Sequence, residues 1–192
     1  MEQKEVLLWA QEAGFTHAAV IPREQLVFDP GLRRFCQENV CGNYGNNYSC
    51  PPACGTPEEM KARTEKYQWA FIFQTITDIG GWDNLEGLAQ AKASHNRRSR
   101  ELIHRLRKAG LEGLPMLAGQ CGVCSVCGQA KGEPCPFPEE CFSCISAYCM
   151  KAEQMANDAG LPYWCGEGVV AYFSLYLVNL NDAADASGKR KV

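Results

Sequence analysis

Residues 121–149 read CGVCSVCGQAKGEPCPFPEECFSCISAYC and carry seven of the chain's twelve cysteines, at 121, 124, 127, 135, 141, 144 and 149. A stretch this dense in thiols, glycine and proline has no helical or strand period of its own. It is a loop that needs something other than a local hydrogen-bond ladder to hold it, and the rest of the fold has to be built to support it. Gly122, Ser125, Gly128, Ala130 and Gly132 keep it compact, and glycine tolerates the positive φ that a tight winding demands.

Cys121, Cys124 and Cys127 follow one another at intervals of three, and a fourth thiol stands in the Cys135-Pro136 step. Thiolates three apart in a winding loop point inward while the intervening amides turn toward sulfide, which is the arrangement of a [4Fe-4S] loop. The gap before Cys135 is long enough for its thiolate to fold back onto the same iron group. Cys121, Cys124, Cys127 and Cys135 are therefore the first expected ligand set. A second thiol-bearing segment, residues 36–54 (CQENVCGNYGNNYSCPPAC), supplies Cys36, Cys41, Cys50 and Cys54 in backbone rich in Gly, Asn and Pro. The four that remain, Cys141, Cys144, Cys149 and the distant Cys165, make a third set only if the fold brings Cys165 to the others. Buried Cys149 and Cys165 would otherwise act as small apolar residues. Zinc is the rival metal, because Cys124-x2-Cys127 and Cys141-x2-Cys144 also have four-thiolate zinc spacing. Cys121 turns one of those pairs into a triple step that a closed tetrahedral site does not require.

Composition narrows the class. With 192 residues, 46% of them apolar, the chain can bury a core, and its formal net charge of −3 gives nucleic acid no bulk attraction. The N-terminal residues MEQKEVLLWAQEAG form an amphipathic helix pattern, not a secretory leader, and the longest apolar run, residues 169–178, is far shorter than the roughly 20 residues of a membrane span. A cytoplasmic protein is expected, a compartment where thiols hold metal more often than they pair. The phosphate-loop, dinucleotide and His-Glu-x2-His signatures are missing, and a radical-enzyme triplet fails at Pro57.

Outside the loops the chain alternates helix and strand. Helical spacing is expected over residues 3–13, 31–38, 56–67, 84–109 and 145–159, with Thr56 and Glu59 as a capping box. Strands are expected at 16–21, 69–77, 115–118 and 169–180. The sum is an α/β or α+β fold with a small mixed sheet of about four or five strands and the cysteine loops at one end. A single domain over 1–180 and a flexible tail over 181–192 follow. The helix over 92–108 carries Lys92, Arg97, Arg98, Arg100, Arg105, Arg107 and Lys108, with His95 and His104 alongside, a basic face open to an anionic partner.

Cys41-Gly-Asn-Tyr44-Gly45, Ser49-Cys50-Pro51-Pro52 and Gly55-Thr56 before a helix, followed by Cys121, Cys124, Cys127, Cys135 and Pro138, resemble the uncharacterised "predicted metal-binding protein" family of cysteine-rich proteins of anaerobic bacteria and archaea. The likeness runs from about Cys36 to Leu180 and implies metal binding without supplying a reaction. Pro136 stands where that family has Arg, and Cys54 and Cys149 are additional thiols. Together the residues lead to an expected iron-sulfur protein with two or three [4Fe-4S] clusters that transfers single electrons to a redox protein partner, a redox accessory protein more than a stand-alone enzyme. One alternative is a cluster-dependent enzyme or maturase with an open iron at Cys36, Cys41 and Cys50, reducing a cofactor such as a corrinoid. Another is a zinc-stabilised interaction module using the basic helix.

Overall fold

The computed structural model describes residues 1–180; the tail expected over 181–192 lies outside them. Helix α1 (Gln3–Glu12) buries Val6 and Ala10 and ends where Gly14 takes φ +82°. Strand β1 (His17–Pro22) follows, then a short helix α2 (Arg33–Gln37) that leads into the first cysteine loop. Helix α3 (Pro57–Thr64) opens on the expected box: the Glu59 amide donates to Thr56 Oγ1 at 3.2 Å and the Thr56 amide donates to Glu59 Oε2 at 2.9 Å. The cap therefore ties down the backbone two residues after Cys54.

Strand β2 (Trp69–Asp78) pairs with β1 on one side and with β4 (Val169–Val178) on the other, and β3 (Gly113–Met116) pairs with β4, giving the order β1-β2-β4-β3. Every pairing is antiparallel, so the sheet is uniform where a mixed one was expected, within an α+β fold. Alternation along β2 sends Phe71 and Phe73 to one face and Ala70 and Ile72 to the other; along β4, Tyr176 and Val178 join the first and Phe173, Leu175 and Leu177 the second. Helices α1 and α4 (Leu85–Lys108) cover the first face through Leu102, Ile103 and Leu106. Helices α3 and α5 (Ala152–Asp158) cover the second, together with Ile145, Ala147, Tyr148 and Cys54 from the cysteine loops. Each fully buried large apolar side chain is worth about 1.5–3 kcal/mol, so both layers are held by burial on the sheet.

The helix expected over 145–159 forms only from Ala152. The preceding residues are drawn into strand-like contact instead: the Asp29 amide donates to Cys149 O at 2.8 Å, the Lys151 amide donates to Val27 O at 2.9 Å, and Phe28 bridges Met150. Cys149 accordingly has φ +56° and lies outside any helix. No described helix is long and apolar enough to cross a membrane.

Candidate metal centres

The cysteine loop that leaves β3 is a closed excursion. It departs at Leu117 and returns at Cys144, which forms a bridge with Leu117 while the Leu117 amide donates to Ser143 O at 3.1 Å. Within it Cys121, Cys124, Cys127, Cys135 and Cys141 line one small cavity with Val123, Gly128, Pro136 and Phe137. The winding closes tightly at Gly128, where a Cβ would stand 2.7 Å from Glu133 O and 2.9 Å from Pro134 O. The cavity thus gathers the first expected set and adds Cys141. Contact with Cys141 is the main cause that draws the Cys121 thiol down to about 6, with the Val123 amide and Arg100 acting the same way against burial; the same contact drives Cys141 up. From α4, Arg100 places Nη2 3.7 Å from Cys121 Sγ and lies over the Phe142 ring at 4.8 Å.

The second group forms where residues 36–54 meet the end of the other loop. Cys36 feels Cys41, Cys144 and Cys149, Cys50 feels Cys41, Cys54 and Cys144, and Cys54 feels Cys36, so these six thiols form one chain of electrostatic neighbours. Burial pushes Cys36, Cys54 and Cys144 up, and Cys50 up to about 12 even though the Ser49 hydroxyl favours its thiolate. Protons on these thiols are the state burial prefers, and a metal is what would replace them. The Ala147 amide donates to Cys144 Sγ at 3.4 Å.

Arg33 closes this group. Its guanidinium donates to Gly55 O at 3.2 Å and Ala147 O at 2.8 Å and stands against Cys54 and Cys149, while Nε has no partner. Burial alone would lower its pKa, but Cys149 and Cys54 outweigh that and raise it. The residue is 8% exposed and, among the described residues, no carboxylate pairs with it. A buried cation surrounded by carbonyl oxygens and thiols, with no carboxylate among the described residues, is stabilised by negative charge nearby. Thiolate-bound metal supplies it, so the donor set and its counter-charge fit such a group.

Ser49 and Asn47 join the two groups. The Cys121 amide donates to Ser49 Oγ at 2.8 Å, Ser49 Oγ lies 3.8 Å from Cys50 Sγ, and Asn47 Nδ2 donates to Cys121 O at 3.0 Å. Tyr48 adds a bond from its hydroxyl to Glu133 O at 2.9 Å. The roles of Ser49 and Arg33 were not apparent in the sequence, although Arg33 stands one helical turn before Cys36.

The third expected set is divided by the fold. Cys141 lies with Cys121, and Cys144 and Cys149 lie with Cys36. Cys165 does not line the cavity of the first group; it is half-buried in the loop before β4, next to Trp164, which stacks on Trp82 at 5.9 Å. The separation follows from the Leu117–Cys144 bridge, which parts Cys141 from Cys144 at the neck of the loop. Among the described residues no three Cys, His, Asp or Glu converge closely enough to grip a single ion.

The basic face of α4 is largely engaged within the fold. Arg100 pairs with Glu140 at 2.8 Å, Arg105 with Glu12 at 2.7 Å and Arg98 with Gly14 O at 2.8 Å, and His104 also reaches Glu140. His95, expected beside them, is buried with Ser99 on the opposite, sheet-facing side, where Nδ1 meets Thr75 Oγ1 at 2.9 Å.

No curated protein and no solved structure matches the chain. A family model described as "Predicted metal-binding protein (DUF2284)" matches residues 19–178, which span both cysteine loops and all but the first two residues of the sheet. On that match, and with its thiols gathered around a buried counter-charge, the chain belongs to this family of predicted metal-binding proteins.

Proposed function

We propose that the protein is an iron-sulfur protein with two [4Fe-4S] centres that passes single electrons to a redox partner. Such clusters, when bound, supply one-electron transfer without bond rearrangement in the protein. The observation that carries the reading is the gathering of eleven of the twelve cysteines into two groups, five in one and six in the other. In the first group the triple step Cys121, Cys124 and Cys127 is one that a closed tetrahedral zinc site does not require. Cys121, Cys124, Cys127 and Cys135 supply the corners of the first centre, with the Cys141 thiol beside Cys121 in the same cavity. Cys36, Cys41, Cys50 and Cys144 supply those of the second, leaving Cys54 and Cys149 to hold Arg33. Purification without oxygen, followed by iron and acid-labile sulfide assays, is expected to give about eight of each per chain, four for each cluster. Zinc in place of iron, with no broad visible absorption, would overturn the reading.

A cleft of about 600 Å³ favours a second reading. Cys36 forms part of its wall, with Leu32, Phe35, Met150 and Tyr163 as the apolar lining. If Cys144 does not ligate, the second centre has an open iron facing that cleft, and the protein is an enzyme or maturase that reduces a cofactor such as a corrinoid. Cyanide added to the reduced protein separates the two: an altered electron paramagnetic signal supports the open iron, and an unchanged one supports full ligation.

A further inference from the structure

Each thiol group has an arginine set into it, Arg100 in the first and Arg33 in the second, where Arg63 also lies near Cys54, and Arg100 and Arg33 are in opposite electrical circumstances. Arg100 reaches Cys121 Sγ at 3.7 Å, but its Nη1 donates to Glu140 Oε2 at 2.8 Å, and His104 lies 3.0 Å from the same carboxylate. The positive charge beside Cys121 is therefore offset by a carboxylate in direct contact. Arg33 has carbonyl oxygens and thiols around it, an unpartnered Nε, and no carboxylate among the described residues. It is nearly enclosed, so solvent does little to screen it.

We propose that this asymmetry sets the two centres at different reduction potentials, with the centre beside Arg33 the easier to reduce and Glu140 acting to keep the other low. The inference rests on the iron-sulfur reading above and adds an order to it. Adding an electron to a thiolate-bound cluster makes an anionic group more negative, and a nearby uncompensated cation stabilises that state, whereas a cation already paired with a carboxylate contributes little. Burial acts the other way, since Cys50, Cys54 and Cys149 are buried while the five thiols of the first group are half-buried. The charge prevails because the guanidinium is buried within this group, donating to Gly55 O next to Cys54 and to Ala147 O between Cys144 and Cys149, in a low-dielectric volume where a charge is felt most. The step is a bare electron transfer: the centre beside Arg100 loses one electron, the centre beside Arg33 gains one, and no bond or proton changes place. A one-electron protein donor refills the first centre.

The experiment is a redox titration followed by electron paramagnetic resonance on anaerobically purified protein. The wild type is expected to show two separate reduction steps, with Cys127→Ser removing the lower one. Arg33→Gln is expected to move the higher step downward and leave the lower in place; Arg33→Lys, which keeps the charge but loses the fork, is expected to move it less. Glu140→Gln, which frees Arg100, is expected to raise the lower step. Full iron content in Arg33→Gln with both steps unmoved would overturn the inference, as would a downward shift in Glu140→Gln. If Arg33→Gln does not assemble, Arg33→Lys and Glu140→Gln decide the matter by the same shifts. Absence of iron and sulfide from the wild type would instead sink the proposed function itself, and that result is distinct from two full clusters whose potentials ignore Arg33.

Discussion

Replacing Ser49 by Ala tests the joint between the two loops. Ser49 is 1% exposed, and its hydroxyl accepts from the Cys121 amide at 2.8 Å and donates to Asn47 Oδ1 at 2.9 Å. Its loss leaves the Cys121 N–H facing a methyl group. Asn47 Oδ1 keeps the Ser49 amide at 3.0 Å, and Asn47 Nδ2 keeps Cys121 O, so a single orphaned donor dominates the cost. A buried donor left without a partner costs about 1–3 kcal/mol. Taking about 2 kcal/mol, the start of the loop should open roughly 30 times more often, at 1.4 kcal/mol for each tenfold change. Amide hydrogen exchange over residues 120–127 should speed up by about that factor, and a chelator should strip iron from the Cys121 centre correspondingly faster. Exchange in β2 and β4 should be unchanged, because their ladder does not pass through Ser49. Unchanged exchange and iron loss in the variant would show that the two loops are held together by something other than this hydroxyl.

Three further outcomes are expected. Cys165→Ser should retain the full iron complement, while Cys36→Ser and Cys127→Ser should each lose about half of it, read by iron assay. Gly128→Ala would press a Cβ against the backbone oxygens of Glu133 and Pro134, so the loop cannot wind closed, at about 1–3 kcal/mol, and iron should be lost from the Cys121 centre alone. Burial lowers His95 from its ordinary 6.5 to about 4. The unfolded chain therefore takes up a proton between those values and the folded protein does not, so the stability present above pH 6.5 falls by about 3 kcal/mol as pH drops to 4. Denaturant titrations of wild type and His95→Gln across that window should show the wild type losing stability with acid more steeply than the variant; parallel curves would rule out the buried neutral imidazole.

Much of the frame is legible in the chain order because it depends on near neighbours. The capping box at Thr56, the alternation of Phe71 and Phe73 with Ala70 and Ile72, and the glycine stop after α1 are each decided by residues within a few positions of one another. The helix expected from Ile145 failed because residues 27–29 compete for the backbone of 149–151, and sequence period carries no record of a partner some 120 residues away. His95 was misplaced for a related reason: its row on α4, with Ala91, Ser99, Leu102 and Leu106, mixes polar and apolar residues, and only the Thr75 and Ser174 hydroxyls waiting on the sheet make that row the buried one.

By itself, the sequence established that this chain concentrates thiols in two irregular loops on a frame of helices and strands, since ligand chemistry and element periods are local properties; the antiparallel pairing made that frame α+β. Only the tertiary structure decided how the thiols are shared. The Leu117–Cys144 bridge separates Cys141 from Cys144, and Ser49 meets Cys121 across 72 residues of chain. It also buried Arg33 with no carboxylate partner among the described residues while giving Arg100 one. Grouping and charge balance depend on distances in space, and the spacing of cysteines along the chain does not encode which segments the sheet and its bridges will bring together.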